Sequence, residues 1–315
     1  MTLGHASQGR AVGYRDPMDV EVEYEPRRGR MPLESRGGEM AYLDFGPKDR
    51  PVDIVFSHAN GFNARTYRTI LAPLAEDLRV LAIDLRGHGA SALPADPADR
   101  EGWHEFRDDL LAFLAAATEG SVVLAGHSMG GTSSLLAAAA EPDRVKALAL
   151  IDPVIFSPDM LAGRSQDNPE IAESPLVQGA LRRRRTFPSK AAAYEAYLGR
   201  GAFKTWRPEQ LADYVEAGFR ETAEGEVTLT CTPEWEASNF RMHNYDPWAA
   251  FRDSRCPIRI LRAEHGSTAR LDGHEAALAA TGRIAVELVP GTSHFLPMER
   301  PEKVRELLAA TAKGR

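Results

Sequence analysis

Val122-Val123-Leu124-Ala125-Gly126-His127-Ser128-Met129-Gly130-Gly131 decides the fold of this 315-residue chain. An apolar run suited to a buried parallel strand stops at Gly-His-Ser-Met-Gly. Thr132-Ser133-Ser134-Leu135-Leu136 and four alanines then continue as a helix of small residues. Strand, sharp turn and helix in that order are the setting in which G-x-S-x-G forms a nucleophile elbow. The flanking positions must be glycine, because a Cβ there would clash with the strand and helix on either side of a strained serine. Ser128 is therefore the candidate nucleophile. The Met129 N–H, at the start of the helix, is aimed at a developing oxyanion.

Working outward, short apolar runs at 53–57, 80–83, 145–151, 258–262 and 284–289 read as buried strands, with helical spacing at about 66–76, 105–117, 273–281 and 301–312. Met40-Ala41-Tyr42-Leu43-Asp44-Phe45 alternates as an antiparallel strand does. Alternating strands and helices predict an α/β fold with a mostly parallel sheet and helices on both faces, functional residues lying beyond the strands' carboxyl ends. Residues 1–30 read as an irregular arm in which Val20–Tyr24 could add an edge strand. The rhythm breaks from 154 to 246, where aromatics are frequent and βα alternation is absent. This stretch is too long and too apolar for a loop and is expected to be an inserted helical cap. The core is then 31–153 together with 247–315.

Composition narrows the class. The chain is 43% hydrophobic with a formal net charge of −7, which argues against a general nucleic-acid binder. Cys231 and Cys256 do not make a metal cluster and read as reduced thiols. The first thirty residues have no apolar targeting core, and no stretch reaches the ~18 apolar residues of a membrane span. The expectation is a cytoplasmic protein, monomer or homodimer, with a small-molecule substrate, no nucleic-acid or membrane partner, and neither metal nor organic cofactor.

Four segments in order resemble the α/β-hydrolase family over roughly residues 38–312: His58-Ala59-Asn60-Gly61-Phe62, Asp84-Leu85-Arg86-Gly87-His88-Gly89-Ala90-Ser91, Gly126-His127-Ser128-Met129-Gly130, and Gly291-Thr292-Ser293-His294 followed by Glu299-x-Pro301. The resemblance implies that His294 is the general base and that the Asn60 N–H joins that of Met129 in an oxyanion hole, where the Asn60 side chain could also reach the pocket. Ala59 replaces the family's usual glycine. His58 is expected to fix the oxyanion loop, His88 to brace its glycine loop and His127 to support the turn. His58, Phe62, His127, Trp235 and His243 are the candidate pocket residues. Arg182–Arg185 reads as a solvated helix face, with an anion-facing patch as the alternative.

The acid departs from the family pattern. After the strand at 258–262 the chain reads Ala263-Glu264-His265-Gly266-Ser267, with Gly266 where the resemblance puts an aspartate. Asp152, at the end of the strand after the elbow helix, is one replacement, as in some haloalkane dehalogenases; Glu264 is the other. The implied function is a serine hydrolase of a small-to-medium, largely apolar ester, thioester or lactone. Carbon–carbon hydrolysis of a diketone, or a non-catalytic binding protein on the same fold, stand as alternatives.

Overall fold

The computed structural model describes residues 24–100, 102–162, 174–242 and 244–314. The core strands before the cap are β1 (Arg27–Leu33), β2 (Gly38–Phe45), β3 (Ile54–Ser57), β4 (Val80–Ile83), β5 (Val122–His127) and β6 (Val145–Ile151). Three short strands, β7 (Thr186–Phe187), β8 (Phe219–Glu221) and β9 (Val227–Leu229), lie in the cap. β10 (Ile258–His265) and β11 (Ile284–Ser293) complete the core. The main sheet runs β1-β2-β4-β3-β5-β6-β10-β11. It is parallel from β4 to β11, with β1 and β2 antiparallel at one edge.

Continuous apolar runs bury both faces of the central strands, as a sheet covered on two sides requires. Every residue of β3, β4 and β5 is buried. One apolar cluster covers each face. That on one side joins Phe45, Phe56 and Tyr67 of the core to Phe187, Trp206, Tyr214 and Phe219 of the cap. The other gathers Phe106, Phe113, Leu135 and Trp235.

Two expectations change. The edge strand begins at Arg27, inside the stretch read as an arm, because its backbone pairs with β2 from Asp44 to Gly38; residues 20–23 lie outside the described ones. The cap is not wholly helical. Its helices Pro175–Leu181, Lys190–Tyr197, Pro208–Gly218 and Pro233–Arg241 accompany an antiparallel sheet in the order β7-β9-β8. The cause is local: Val227-Thr228-Leu229 alternates buried and half-buried, and Gly225 at φ 81° turns the chain between β8 and β9. Among the described residues no helix is long and apolar enough to cross a membrane.

Candidate active site

β5 delivers Ser128 to the sheet's carboxyl edge, where the chain turns straight into the helix Met129–Ala140. Ser128 has φ 54° and ψ −120°, a conformation that side chains rarely adopt. Close packing permits it. A Cβ on Gly130 would lie 2.2 Å from the Ser57 carbonyl oxygen, and one on Gly126 would lie 2.5 Å from the Gly130 carbonyl carbon. The Ser128 N–H donates to Ile151 O on the neighbouring strand at 3.0 Å.

That neighbour, β6, runs directly into Asp152. Asp152 and Ser128 are the non-glycine residues with positive φ among the described ones, Asp152 at 41°. Asp152 is fully buried and its carboxylate is surrounded by donors. Oδ1 accepts from Ala263 N–H at 2.9 Å and from the Ser267 hydroxyl at 2.5 Å, and Oδ2 accepts from Thr268 N–H at 3.1 Å. His294 Nδ1 lies 2.6 Å from Oδ2, and His294 Nε2 lies 3.0 Å from Ser128 Oγ. A carboxylate only accepts, so Nδ1 carries the imidazole proton and Nε2 is free to accept from the serine hydroxyl. Burial pushes the Asp152 carboxyl up, but the hydrogen bonds from His294, Ser267 and Ala263 outweigh it and hold the group below its ordinary value.

Glu264, the alternative acid, is engaged elsewhere. Its Oε2 accepts from Gly291 N–H at 2.7 Å and faces His265 Nε2 at 3.3 Å, so it braces the turn leading to His294 from outside. Gly266 has φ 61° and nothing within 4 Å of where its Cβ would stand. The loop at the family's usual acid position instead supplies the donors that surround Asp152.

Three neutral histidines knit the loops around this chain of hydrogen bonds. His58 Nε2 accepts from Leu85 N–H at 2.9 Å, which leaves Nδ1–H to donate to Ala59 O at 2.7 Å. His88 Nε2 accepts from Gly61 N–H at 3.0 Å, and its Nδ1–H donates to Arg86 O at 2.9 Å. Burial lowers His88 to about 4 and places His58 well below its ordinary value. His127, which burial lowers to about 3, donates Nε2–H to His294 O at 2.8 Å. Its Nδ1 accepts from the Tyr67 hydroxyl at 2.8 Å, and that hydroxyl accepts from Ala59 N–H at 3.2 Å. One relay thus links the loop before Asn60 to the backbone of His294.

Not every candidate pocket residue lies on a pocket. His58 and His127 are fully buried and saturated with loop contacts. Trp235 is a core residue: it is 2% exposed and its Nε1–H donates to Arg86 O at 3.0 Å. Gly87, with φ 73°, admits it, since a Cβ there would lie 2.2 Å from Trp235 Nε1. His243 lies outside the described residues. Phe62 is half-buried and meets Trp206 at 5.2 Å, Tyr214 at 5.8 Å and Phe295, the residue after His294, at 6.4 Å between ring centroids. Trp206 and Tyr214 are themselves buried in the apolar cluster between core and cap, and Phe295 packs against it.

The Asn60 and Met129 N–H groups have no backbone partner among the described residues. The Asn60 side chain does not reach a pocket. It turns to the cap helix, where Nδ2–H donates to Glu236 O at 3.0 Å. The arginine run is also not uniformly solvated: Arg183 turns inward to the Glu236 carboxylate and the Tyr214 hydroxyl.

The profile described as the alpha/beta hydrolase family matches residues 54–307. The chain belongs to the alpha/beta hydrolase family. Among curated relatives of this hydrolase, a 2-(acetamidomethylene)succinate hydrolase of Mesorhizobium japonicum is 26% identical over 260 residues, 79% of this chain and 84% of that one. An esterase of Mycobacterium tuberculosis is 34% identical over 99 residues, 31% of this chain and 32% of that one. Among solved structures, an E-2-(acetamidomethylene)succinate hydrolase superposes with a TM-score of 0.73 at 22% identity, covering 92% of this chain and all of that one. The thioesterase domain from the curacin biosynthetic pathway gives a TM-score of 0.72 at 15% identity, over 91% of this chain and all of that one. At these identities the structural likenesses speak for the fold.

Proposed function

We propose that this hydrolase is a serine hydrolase that cleaves a small-to-medium, largely apolar carboxylic ester, thioester or lactone through an acyl-enzyme. The observation that carries the reading is the unbroken chain from Ser128 Oγ to His294 Nε2 at 3.0 Å and from His294 Nδ1 to Asp152 Oδ2 at 2.6 Å. In this reading His294 takes the Ser128 proton as Oγ attacks the carbonyl carbon, and Asp152 stabilises the imidazolium that forms. The N–H groups of Asn60 and Met129 receive the oxyanion. His294 returns the proton to the leaving group, and a water that it then deprotonates releases the acid. Phe295, whose ring lies 6.1 Å from that of His294, and Phe62 stacked on it at 6.4 Å favour an apolar acyl or alcohol part. The name of the Mesorhizobium relative's substrate includes an acetamido group, so amides belong in a substrate screen, since the same attack on a carbonyl would serve. The missing carboxylate at Gly266 favoured the non-catalytic alternative, and the Asp152–His294 contact supports the catalytic reading against it.

Fluorophosphonate labelling followed by intact-mass measurement tests the proposal. The expected result is a single adduct on the wild-type chain and none on Ser128→Ala. A folded wild-type chain that takes up no adduct would overturn the reading.

A further inference from the structure

The side chain next to the proposed oxyanion donor is held by a line of hydrogen bonds with only one possible polarity. Arg100 Nη1 donates to Asn239 Oδ1 at 2.5 Å and to Ser238 Oγ at 2.9 Å. Asn239 Nδ2–H donates to Asn60 Oδ1 at 2.8 Å, and Asn60 Nδ2–H donates to Glu236 O at 3.0 Å. A guanidinium can only donate and a carbonyl can only accept, so both ends fix the orientation of both amides between them. Flipping either amide would set donor against donor or acceptor against acceptor.

The line is built to stay in place. Asn239 is fully buried, and its own carbonyl accepts from Trp103 Nε1–H at 3.0 Å. The Arg100 side chain is fully buried, faces Glu105 at 3.3 Å and lies over the Trp235 ring at 4.1 Å. His88 anchors the following peptide through Gly61 N–H. The peptide that presents the Asn60 N–H is therefore gripped from the core through Gly61 and from the cap through the Asn60 side chain. Glu236, Ser238 and Asn239 all belong to the cap helix Pro233–Arg241, whereas Asn60 and Arg100 belong to the core.

We propose that Asn239, seated by Arg100, is a positioning residue for the oxyanion loop, so that the cap helix aims the Asn60 N–H as well as covering the site. The inference rests on the serine-hydrolase reading. Its physical basis is that a preorganised donor is effective only where the oxyanion forms, and a displacement of about 1 Å can cost about a hundredfold in rate.

Asn239→Asp separates positioning from mere adhesion of cap to core. The aspartate keeps an acceptor for Arg100 and adds an anion beside a buried cation, but has no donor for Asn60 Oδ1. The measurement is the rate of fluorophosphonate labelling of Ser128, alongside the thermal midpoint, for wild type, Asn239→Asp, Asn60→Ala and the double variant. The expected result is a labelling rate about tenfold lower in each single variant, each with a lowered midpoint but still folded at the assay temperature, with no further loss of rate in the double variant because both act through one side chain. Wild-type labelling rates in Asn239→Asp, or in the half-exposed Asn60→Ala should the first not fold, would overturn the inference. Losses that multiply in the double variant would do the same. A wild-type chain that is not labelled would instead count against the hydrolase reading itself.

Discussion

Asp152 shows how a residue can be named from sequence while its reason stays hidden. Its place after β6 and the glycine at position 266 made it the leading candidate, but Glu264 stood beside it as the alternative. The donors that separate them come from Ala263, Ser267 and Thr268, more than a hundred positions away, and no local pattern announces them. The elbow was legible for the opposite reason: its glycines, serine and small-residue helix meet each other within ten residues. Asp152→Asn keeps the shape of the site but can present an amide donor to His294 Nδ1, favouring the wrong tautomer. Labelling of Ser128 should slow by about three to four orders of magnitude. Glu264→Gln, which keeps an acceptor for Gly291 N–H, should label within about a factor of five of wild type, since the exposed bond it alters contributes about 1 kcal/mol or less and touches none of the reacting groups. The same intact-mass time course checks both, and equal slowing would return Glu264 to the site.

At the scale of elements, the core was readable and the cap was not. Buried parallel strands are apolar along their whole length, so β3 to β6 stood out with boundaries correct to a residue or so. The described cap elements are two to eleven residues long and borrow their stability from the core beneath, so periodicity has little room to show itself. The buried pair of Asp213, on the helix Pro208–Gly218, with Arg68 of the core at 2.8 Å is one such tie. Trp235 was misread because an aromatic in the cap suggests a pocket wall, whereas its partner, the Arg86 carbonyl, lies 149 positions away. Arg183 was misread for a similar reason, its two partners arriving from separate cap helices. The hairpin β8–β9 did carry a signal, a glycine turn followed by alternation, that the aromatic richness around it obscured.

The whole molecule carries its buried titratable groups in two opposing sets. His58, His88 and His127 stay neutral in the fold, His88 near 4 and His127 near 3, against an ordinary 6.5. As pH falls below 6.5 the unfolded chain binds protons that the native chain refuses, and each histidine removes about 1.4 kcal/mol of stability per pH unit. Asp84 and Asp213 are raised by burial to about 6, so below that pH they act the other way until the unfolded carboxyls near 3.8 also protonate. Three refusals outweigh two acceptances. The thermal midpoint should therefore hold between pH 7 and 8 and fall as the solution is acidified from about 6.5 to 4.5. A midpoint that rises over that interval in a calorimetric pH series would contradict the neutral assignment of the three rings.

The loop from Ala263 to Thr268 is more than a support for Asp152; it is a small receptor for a carboxylate, complete without the residue that fills it. Two backbone N–H groups, the Ser267 hydroxyl and the His294 ring converge on one anion. Asp152 reaches it from a backbone at φ 41°, a geometry that glycine adopts without strain. Asp152→Gly should therefore fold and leave an empty seat shaped for the severed side chain, with the volume of acetate. Added acetate should restore labelling of Ser128 in that variant in a saturable way, and chloride should not. The charge in this site would then be a replaceable part, supplied from solution.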